Sequence, residues 1–148
     1  MENLNPPIFA AILGGALLSL QTLLMLTVGM YRTNAGKGVG VEGDMKLERL
    51  VRRHGNLAEN AAIFVVVFGL YELLFGATTF ALVIGVIFVA ARILHVIGFA
   101  SDSGSHLVDA KGSGRAYVLM RASGAGLTVL STLALGLTLL VSAGLLVS

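Results

Sequence analysis

Hydrophobic runs too long for a soluble domain constrain this chain more than any other feature. Four stretches, free or almost free of charge, each reach the roughly 20 apolar residues that a helix needs to cross a bilayer. With their flanks, the predicted helices cover residues 8–31, 47–75, 78–99 and 115–147. They take up nearly all of the 148 residues, of which 56% are hydrophobic and 12% charged. The sequence therefore predicts an all-α, four-transmembrane-helix bundle forming a single domain over residues 1–148.

The first run is expected to stay in the mature protein. A cleaved signal peptide has a basic start and a shorter apolar core, whereas the only charge ahead of this run is Glu2. A retained transmembrane helix is therefore favoured.

The basic residues are segregated along the chain. All ten Lys and Arg residues fall on one side of a four-span arrangement, around the two long loops. The positive-inside rule then predicts that both long loops are cytoplasmic and that both termini lie on the opposite side. Basic groups this close to a membrane surface, without a recognition motif, argue against nucleic-acid binding. The expected surroundings are membrane lipid.

The chain has no cysteine, which excludes disulfides, thiolate nucleophiles and cysteine-based metal sites. Its three histidines lack the spacing of metal ligands, so no metal site is predicted. Thiol chemistry would need a thiol supplied by a cofactor.

Four polar residues lead into the second hydrophobic run: Arg49, Arg52, Asn56 and Glu59, in the stretch RLVRRHGNLAE. At about 100° per residue they share a wedge of about 80° on one helix face. Ionisable groups at the mouth of a membrane span are costly unless they are paired or functional. This polar stripe (Arg49, Arg52, Asn56 and Glu59) is therefore a candidate site.

Other polar groups fall at the same end of a four-helix bundle. They come from the first, third and fourth helices: Gln21, Arg32, Arg92, His95, Arg115, Tyr117 and Arg121. Arginines bind carboxylates through two parallel hydrogen bonds, and Glu59 would suit an ammonium group. The complement is a small zwitterion with more than one carboxylate, such as glutathione.

The stretches ERLVRRHGNLAE (48–59) and RILHVIGF (92–99) resemble the signature of the MAPEG family, the membrane-associated proteins in eicosanoid and glutathione metabolism. The likeness extends over essentially the whole chain in length, span number and motif order. It implies a four-helix protomer, a homotrimer, and glutathione bound between protomers near the cytoplasmic face.

The resemblance also implies roles for individual residues. The cofactor-binding residues would be Arg32, Arg52, Asn56, Glu59, His95 and Tyr117. Arg115 would stabilise the thiolate, with Lys111 or Arg32 as alternatives because the spacing from Arg115 to Tyr117 is shorter than in the family. One departure stands out: Phe99 occupies the place of a tyrosine in the eicosanoid-forming members, which removes one hydrogen bond to the cofactor.

The activity that this predicts is glutathione transfer, or glutathione-dependent peroxide reduction, on a hydrophobic small-molecule substrate dissolved in the membrane. The alternative is a non-enzymatic family member that binds lipid and presents it to a partner. A small exporter is disfavoured because it would need a carboxylate near mid-membrane, whereas Glu59 and Glu72 lie near the two ends of their span.

Purely structural interpretations stay open for several residues. Arg53 and Arg121 are expected to be topology anchors at the membrane surface, and Arg49 could be one too. The rest of the polar stripe could form an ion-pair network between helices. Glu72 is expected to be solvated.

The loops carry their own expectations. Residues 33–43 are rich in glycine and are expected to be flexible, and Asp44 is expected to cap the second helix. Residues 76–78 should form a tight turn, and residues 100–114 a mobile loop that could cover the site. Glycines inside the spans, among them Gly14 and Gly124, are expected to allow close helix contacts.

Overall fold

The structure, a computed structural model, describes residues 5–106, 112 and 114–147. These residues form five helices: α1 (Ile8–Ala35), α2 (Met45–Phe75), α3 (Thr79–Gly98), a short α4 (Asp102–His106) and α5 (Gly114–Leu145). The described residues include no β-strand. The predicted all-α fold is confirmed.

The four long helices are each long and apolar enough to cross a membrane. Large hydrophobic side chains on every one of them face outward, as expected where lipid is the solvent. At 1.5 Å per residue the 31 residues of α2 span about 47 Å, well beyond the hydrocarbon thickness of about 30 Å. The polar N-terminal turns of α2 therefore extend past the apolar layer.

Local chemistry sets the helix boundaries. The Asp44 side chain accepts a hydrogen bond from the Leu47 amide at 3.0 Å, which confirms the predicted cap of α2. Thr78 caps α3 in the same way, through the Ala81 amide at 3.1 Å. The three residues 76–78 join α2 and α3 in the predicted tight hairpin.

Glycine lets α3 and α5 approach each other backbone to backbone. A Cβ added to Gly124 would lie 2.6 Å from both the Ala91 carbonyl oxygen and the His95 amide nitrogen. Contacts this short with backbone atoms cannot be relieved by rotating a side chain. The close helix contact expected at Gly124 is confirmed, whereas the nearby Gly126 has no atom within 4 Å of its Cβ position.

The pair α1 and α2 also packs closely through glycine. A Cβ on Gly14 would lie 3.2 Å from Val65, and one on Gly69 would lie 3.6 Å from Ala10. The neighbouring Gly15 meets nothing within 4 Å. Close packing of α1 against α2 therefore explains the glycine at position 14 but not the one at position 15.

An aromatic stack occupies the centre of the bundle. The rings of Phe64 and Phe88 are parallel within 6°, with centroids 3.6 Å apart, and Phe68 stacks beside Phe64 at 5.7 Å. Phe68 and Phe88 are fully buried. This stack joins α2 to α3.

Glu72 departs from its prediction. It was expected to be solvated, but it is 0% exposed and accepts hydrogen bonds from the backbone amides of Phe9 at 3.1 Å and Ala10 at 2.5 Å. The N-cap residue of α1 is Pro7, whose side chain makes no capping hydrogen bond. A carboxylate from α2 therefore satisfies the free amides at the start of α1, where the helix dipole also favours negative charge.

The first loop is held at several points, in contrast to the flexible loop that its glycines indicated. One nitrogen of Arg32 donates to the carbonyl oxygens of Gly38 at 3.3 Å and Gly40 at 2.9 Å. Lys37 forms an ion pair with Asp44 at 3.3 Å. These contacts tie the C-terminal end of α1 to the N-terminal end of α2.

Candidate functional site

A polar cavity of about 220 Å³ lies at the end of the bundle where α2 and α5 begin and α1 and α3 end. Its lining comes from α2, α4, α5 and the residue after α3: Glu48, Arg49, Arg52, Asn56, Phe99, Ser105 and Arg121. Polar side chains from α2, α4 and α5 therefore meet at one end of the bundle, whereas α1 contributes no residue to this lining.

Three members of the polar stripe line this cavity. Arg49, Arg52 and Asn56 face it from successive turns of α2. The Asn56 side-chain amide donates to the Arg52 carbonyl oxygen at 3.1 Å, which fixes its orientation on the helix. Glu59, the fourth member, is exposed and lies outside the lining.

Two predicted site residues of α3 lie deeper in the protein than the cavity lining. Arg92 is 2% exposed, and one of its nitrogens donates to the Asn56 carbonyl oxygen at 3.2 Å. His95 is 6% exposed, and its ring packs against Phe99 with centroids 5.0 Å apart. Arg92 therefore joins α3 to α2 beside a lining residue, and His95 supports the aromatic wall.

Arg121 is part of the cavity. Its guanidinium lies 4.4 Å from the centroid of the Phe99 ring, a cation–π arrangement. One of its nitrogens also donates to the carbonyl oxygens of Gly104 and Ser105, at 2.9 Å each. The expectation that Arg121 is a topology anchor at the lipid surface is wrong, because its side chain turns into the protein.

The short helix α4 lies on the rim of the cavity. Asp102 at its start forms an ion pair with Arg49, and Ser105 belongs to the lining. A Cβ on Gly104 would collide with the Gly98 carbonyl oxygen, so glycine is needed for α4 to rest on the end of α3. The expectation that residues 100–114 form a mobile loop covering the site falls partly on residues 107–111 and 113, which lie outside the described residues, as does Lys111.

The other predicted site residues do not reach the lining. Arg32 is committed to two carbonyl oxygens of the first loop. Arg115 is exposed, and Tyr117 is half-buried near Gly104, but neither lines the cavity. The structure thus brings Arg52 and Asn56 together and leaves these three residues, with Glu59, outside.

Two lining residues, Glu48 and Ser105, were not indicated by the sequence patterns, and Arg121 was grouped with the converging polar residues but expected to act as a topology anchor. Glu48 lies four residues before Arg52 and so shares its helix face. Helical periodicity alone could therefore have identified it. Arg121 precedes Gly124 by three residues, which places it on the face of α5 that packs against α3. Ser105 had no comparable signal in the sequence.

The electrostatics of the cavity favour an anionic ligand. Its lining carries the guanidiniums of Arg49, Arg52 and Arg121 and one carboxylate, that of Glu48. Arginine forks bind carboxylates through paired, charge-assisted hydrogen bonds. Among the described residues, no group of three or more His, Asp or Glu side chains could hold a metal ion.

These features define an integral membrane protein with four spanning helices and an arginine-rich cavity at one end of the bundle. The chain belongs to the MAPEG family, whose family model matches residues 8–141. A search of curated proteins finds no match to the chain. The family resemblance seen in the two sequence motifs is therefore confirmed.

Proposed function

We propose that the cavity binds glutathione, and that the protein uses it in transfer or peroxide reduction on hydrophobic electrophiles dissolved in the membrane. The observation that carries this proposal is the meeting of three guanidiniums, an amide and a carboxylate in one cavity of a MAPEG family member.

The residues of the cavity fit glutathione by their chemistry. Arg49 and Arg52 offer forks for its two carboxylates, and Glu48 offers an acceptor for its ammonium group. Asn56 can both donate to and accept from a peptide group. The ligand has a counterpart for each polar group on the α2 side of the cavity.

The size of the cavity supports a site completed by a second protomer. At about 220 Å³ it is smaller than the roughly 300–1,000 Å³ of most small-molecule pockets. Arg52 and Glu59 are also exposed on the face of α2 that continues beyond the cavity. We propose that a homotrimer encloses the site and that Glu59 contributes to it from this outer edge.

Glutathione would supply the thiol that the chain itself lacks, and the reactive form of a thiol is its thiolate. A cation close to the thiol favours that form. Arg121 is the cation that the geometry offers, since it reaches the cavity over Phe99, whereas Arg115 is exposed outside it. We therefore assign thiolate stabilisation to Arg121 in place of Arg115.

The alternative function, lipid binding without catalysis, has an observation in its favour. A second groove of about 510 Å³ runs between α1 and α3 and is lined almost entirely by apolar atoms, with Ala81 and Gly85 among its lining residues. Phe99 also lacks the hydroxyl that the family tyrosine would bring to the cavity. Lipid retained by the purified protein, without any turnover of electrophiles, would favour this alternative.

The orientation of the protein in the membrane is also a proposal. Every basic residue in the described part of the chain lies toward the end that carries the cavity, which supports cytoplasmic placement of both long loops and outward placement of the termini.

Conjugation of glutathione to a reactive aryl halide, measured in detergent micelles, tests the proposed activity. We expect turnover by the wild type and its loss in Arg52→Ala, because a ligand carboxylate then loses its charged donor. Lys46→Ala is the control, since Lys46 is an exposed cation packed over the Tyr31 ring and lies outside the cavity lining. Absence of turnover, or turnover that Arg52→Ala leaves intact, would contradict the proposal.

A spectroscopic measurement on the same purified protein distinguishes between the proposed roles of Arg121 and Arg115 in α5. The ultraviolet absorbance of bound thiolate should fall more in Arg121→Ala than in Arg115→Ala, because only Arg121 reaches the cavity. A larger loss in Arg115→Ala would return the role to Arg115.

A further inference from the structure

The ion pair between Arg49 and Asp102 couples the cavity to its rim. Arg49 is a lining residue whose side chain is 14% exposed, whereas the side chain of its partner is 65% exposed. Asp102 belongs to α4, and Arg121 holds the other end of that helix through the carbonyl oxygens of Gly104 and Ser105. One end of α4 is thus held by charge-assisted hydrogen bonds to backbone carbonyl oxygens and the other by an ion pair between side chains.

Arg49 differs from the other cations of the cavity. Within the described part of the chain, it is the only lining arginine that forms an ion pair with a carboxylate, and Arg52 and Arg121 have none. Glu48 is adjacent in sequence on the same helix, and successive residues of a helix do not face each other. The carboxylate on the fork of Arg49 is therefore the one from α4.

We propose that Asp102 is a built-in competitor of the ligand: it occupies the Arg49 guanidinium in the free protein and gives it up to a carboxylate of the bound molecule. This inference rests on the proposed function, since it takes glutathione as the incoming carboxylate. Asp102 contacts Arg49 through the Nη1 nitrogen, and a ligand carboxylate that pairs with the same nitrogen displaces Asp102 from it.

The exposures decide which partner moves. Asp102 is mostly in solvent already, so its carboxylate is readily hydrated when it leaves, whereas Arg49 is held among the lining residues. Gly104 packs against the end of α3, which keeps the rest of α4 in place. The exchange therefore opens the rim at residues 101–103 and leaves the Arg121 contacts intact. As a consequence, the wild type binds glutathione more weakly than it would without the Asp102 carboxylate.

The test compares Asp102→Asn with Glu42→Gln in detergent-purified full-length protein. Glu42 is an exposed acid of the first loop, so this control removes the same charge at the same end of the bundle. Calorimetric titration should show that Asp102→Asn binds glutathione about two- to fivefold more tightly, the range expected from the modest energy of an exposed ion pair. Glu42→Gln should match the wild type.

Three further measurements isolate the mechanism. Glutathione diethyl ester, which has no free carboxylate, should bind Asp102→Asn and wild type equally. Hydrogen exchange at residues 101–106 should be faster in Asp102→Asn than in the wild type, and glutathione should speed it in the wild type. In the double variant Arg49→Ala/Asp102→Asn the gain in affinity should be lost.

Weaker or equal glutathione binding by Asp102→Asn would overturn the inference while leaving the proposed function in place. Slower exchange at residues 101–106 on adding glutathione would overturn it too, because α4 would then close on the ligand. If neither the wild type nor Asp102→Asn binds glutathione, the proposed function fails and the competition fails with it.

Discussion

Arginine side chains near this site have different roles, depending on which helix face carries them. Arg121 and Arg115 both lie in the first turns of α5, six residues apart, yet only Arg121 reaches the cavity. Helical periodicity within α2 was enough to group Arg52 with Asn56. Periodicity in α5 could not choose between the two arginines, because the choice depends on which face of α5 meets α3. That contact is set by Gly124 through backbone approach.

Glu72 is another residue whose role could not be predicted from the pattern of its own helix. Its position near the outer end of α2 indicated a solvated carboxylate, and nothing within α2 contradicts that interpretation. The acceptor role arises because α1 starts after Pro7 and leaves its first amides without a capping side chain. The partner belongs to another helix, more than 60 residues away in sequence, so local patterns could not identify it.

Asp44 gives the structure a pH-dependent contact in the first loop. The Leu47 amide, which donates to its carboxylate, lowers the pKa of Asp44 below its ordinary value of 3.8, with smaller contributions from Lys37 and Tyr31. A carboxyl group whose pKa is lower in the folded state stabilises the fold above its unfolded pKa and loses that contribution as pH falls through the folded pKa.

We therefore expect Asp44→Asn to flatten the loss of thermal stability of the wild type below pH 4, while its side chain still caps α2. Thermal unfolding in detergent, followed by circular dichroism from about pH 2.5, below the ordinary Asp pKa, to about pH 7, measures this. Identical profiles for the two proteins below pH 4 would contradict the role assigned to Asp44. Glu42→Gln serves as the control.

At the scale of helices, the spans and their order were predictable, whereas the pairs of helices in contact, apart from the hairpin of α2 and α3, were not. Long apolar runs and the signals at 44 and 76–78 fixed where helices begin and end. The actual bounds differ from the predicted ones by at most a few residues at each end. The short helix α4 had no apolar run to announce it, since its five residues are Asp, Ser, Gly, Ser and His.

The two glycines of α5 offer a matched pair for testing helix contact. Gly124→Ala should destabilise the protein by about 1–3 kcal/mol, the usual cost of overpacking, because its Cβ would meet the backbone of α3 at 2.6 Å. Gly126→Ala introduces the same methyl group where nothing lies within 4 Å, and it should leave stability unchanged or slightly higher. Thermal or denaturant unfolding in one detergent gives both values.

Equal stability of the two variants would show that α3 and α5 are farther apart than the structure places them. If Gly124→Ala lowers the stability, it should also weaken glutathione binding, since Gly124 packs against His95, whose ring contacts Phe99.

For the whole molecule, the sequence predicted the four-span architecture and the end of the bundle that carries the polar groups. Both follow from composition, because apolar length sets the number of spans and the Lys and Arg residues gather at one end. Which residues line the cavity was less predictable. Arg32, Arg115, Tyr117 and Glu59 stay outside its lining in one protomer. Of these, only Glu59 is proposed to contribute through the homotrimer, and the thiolate role predicted for Arg115 is assigned to Arg121.

The lack of cysteine makes the orientation directly measurable. We expect a single cysteine at Ala77, in the turn between α2 and α3, to react with a membrane-impermeant maleimide added outside intact cells. A single cysteine at Gly38, in the first loop, should react only after the membrane is permeabilised. The reverse pattern would invert the proposed orientation and place the cavity at the outer face.

The central claim is that the arginine-rich cavity holds glutathione, and calorimetric titration of glutathione into the purified protein tests it most directly. Wild type and Lys46→Ala should bind with the same affinity. Arg52→Ala and Arg121→Ala should each bind about tenfold more weakly or worse, as expected when a charged hydrogen bond of roughly 1.5–3 kcal/mol is lost. No binding by the wild type, or binding that neither variant weakens, would contradict the account.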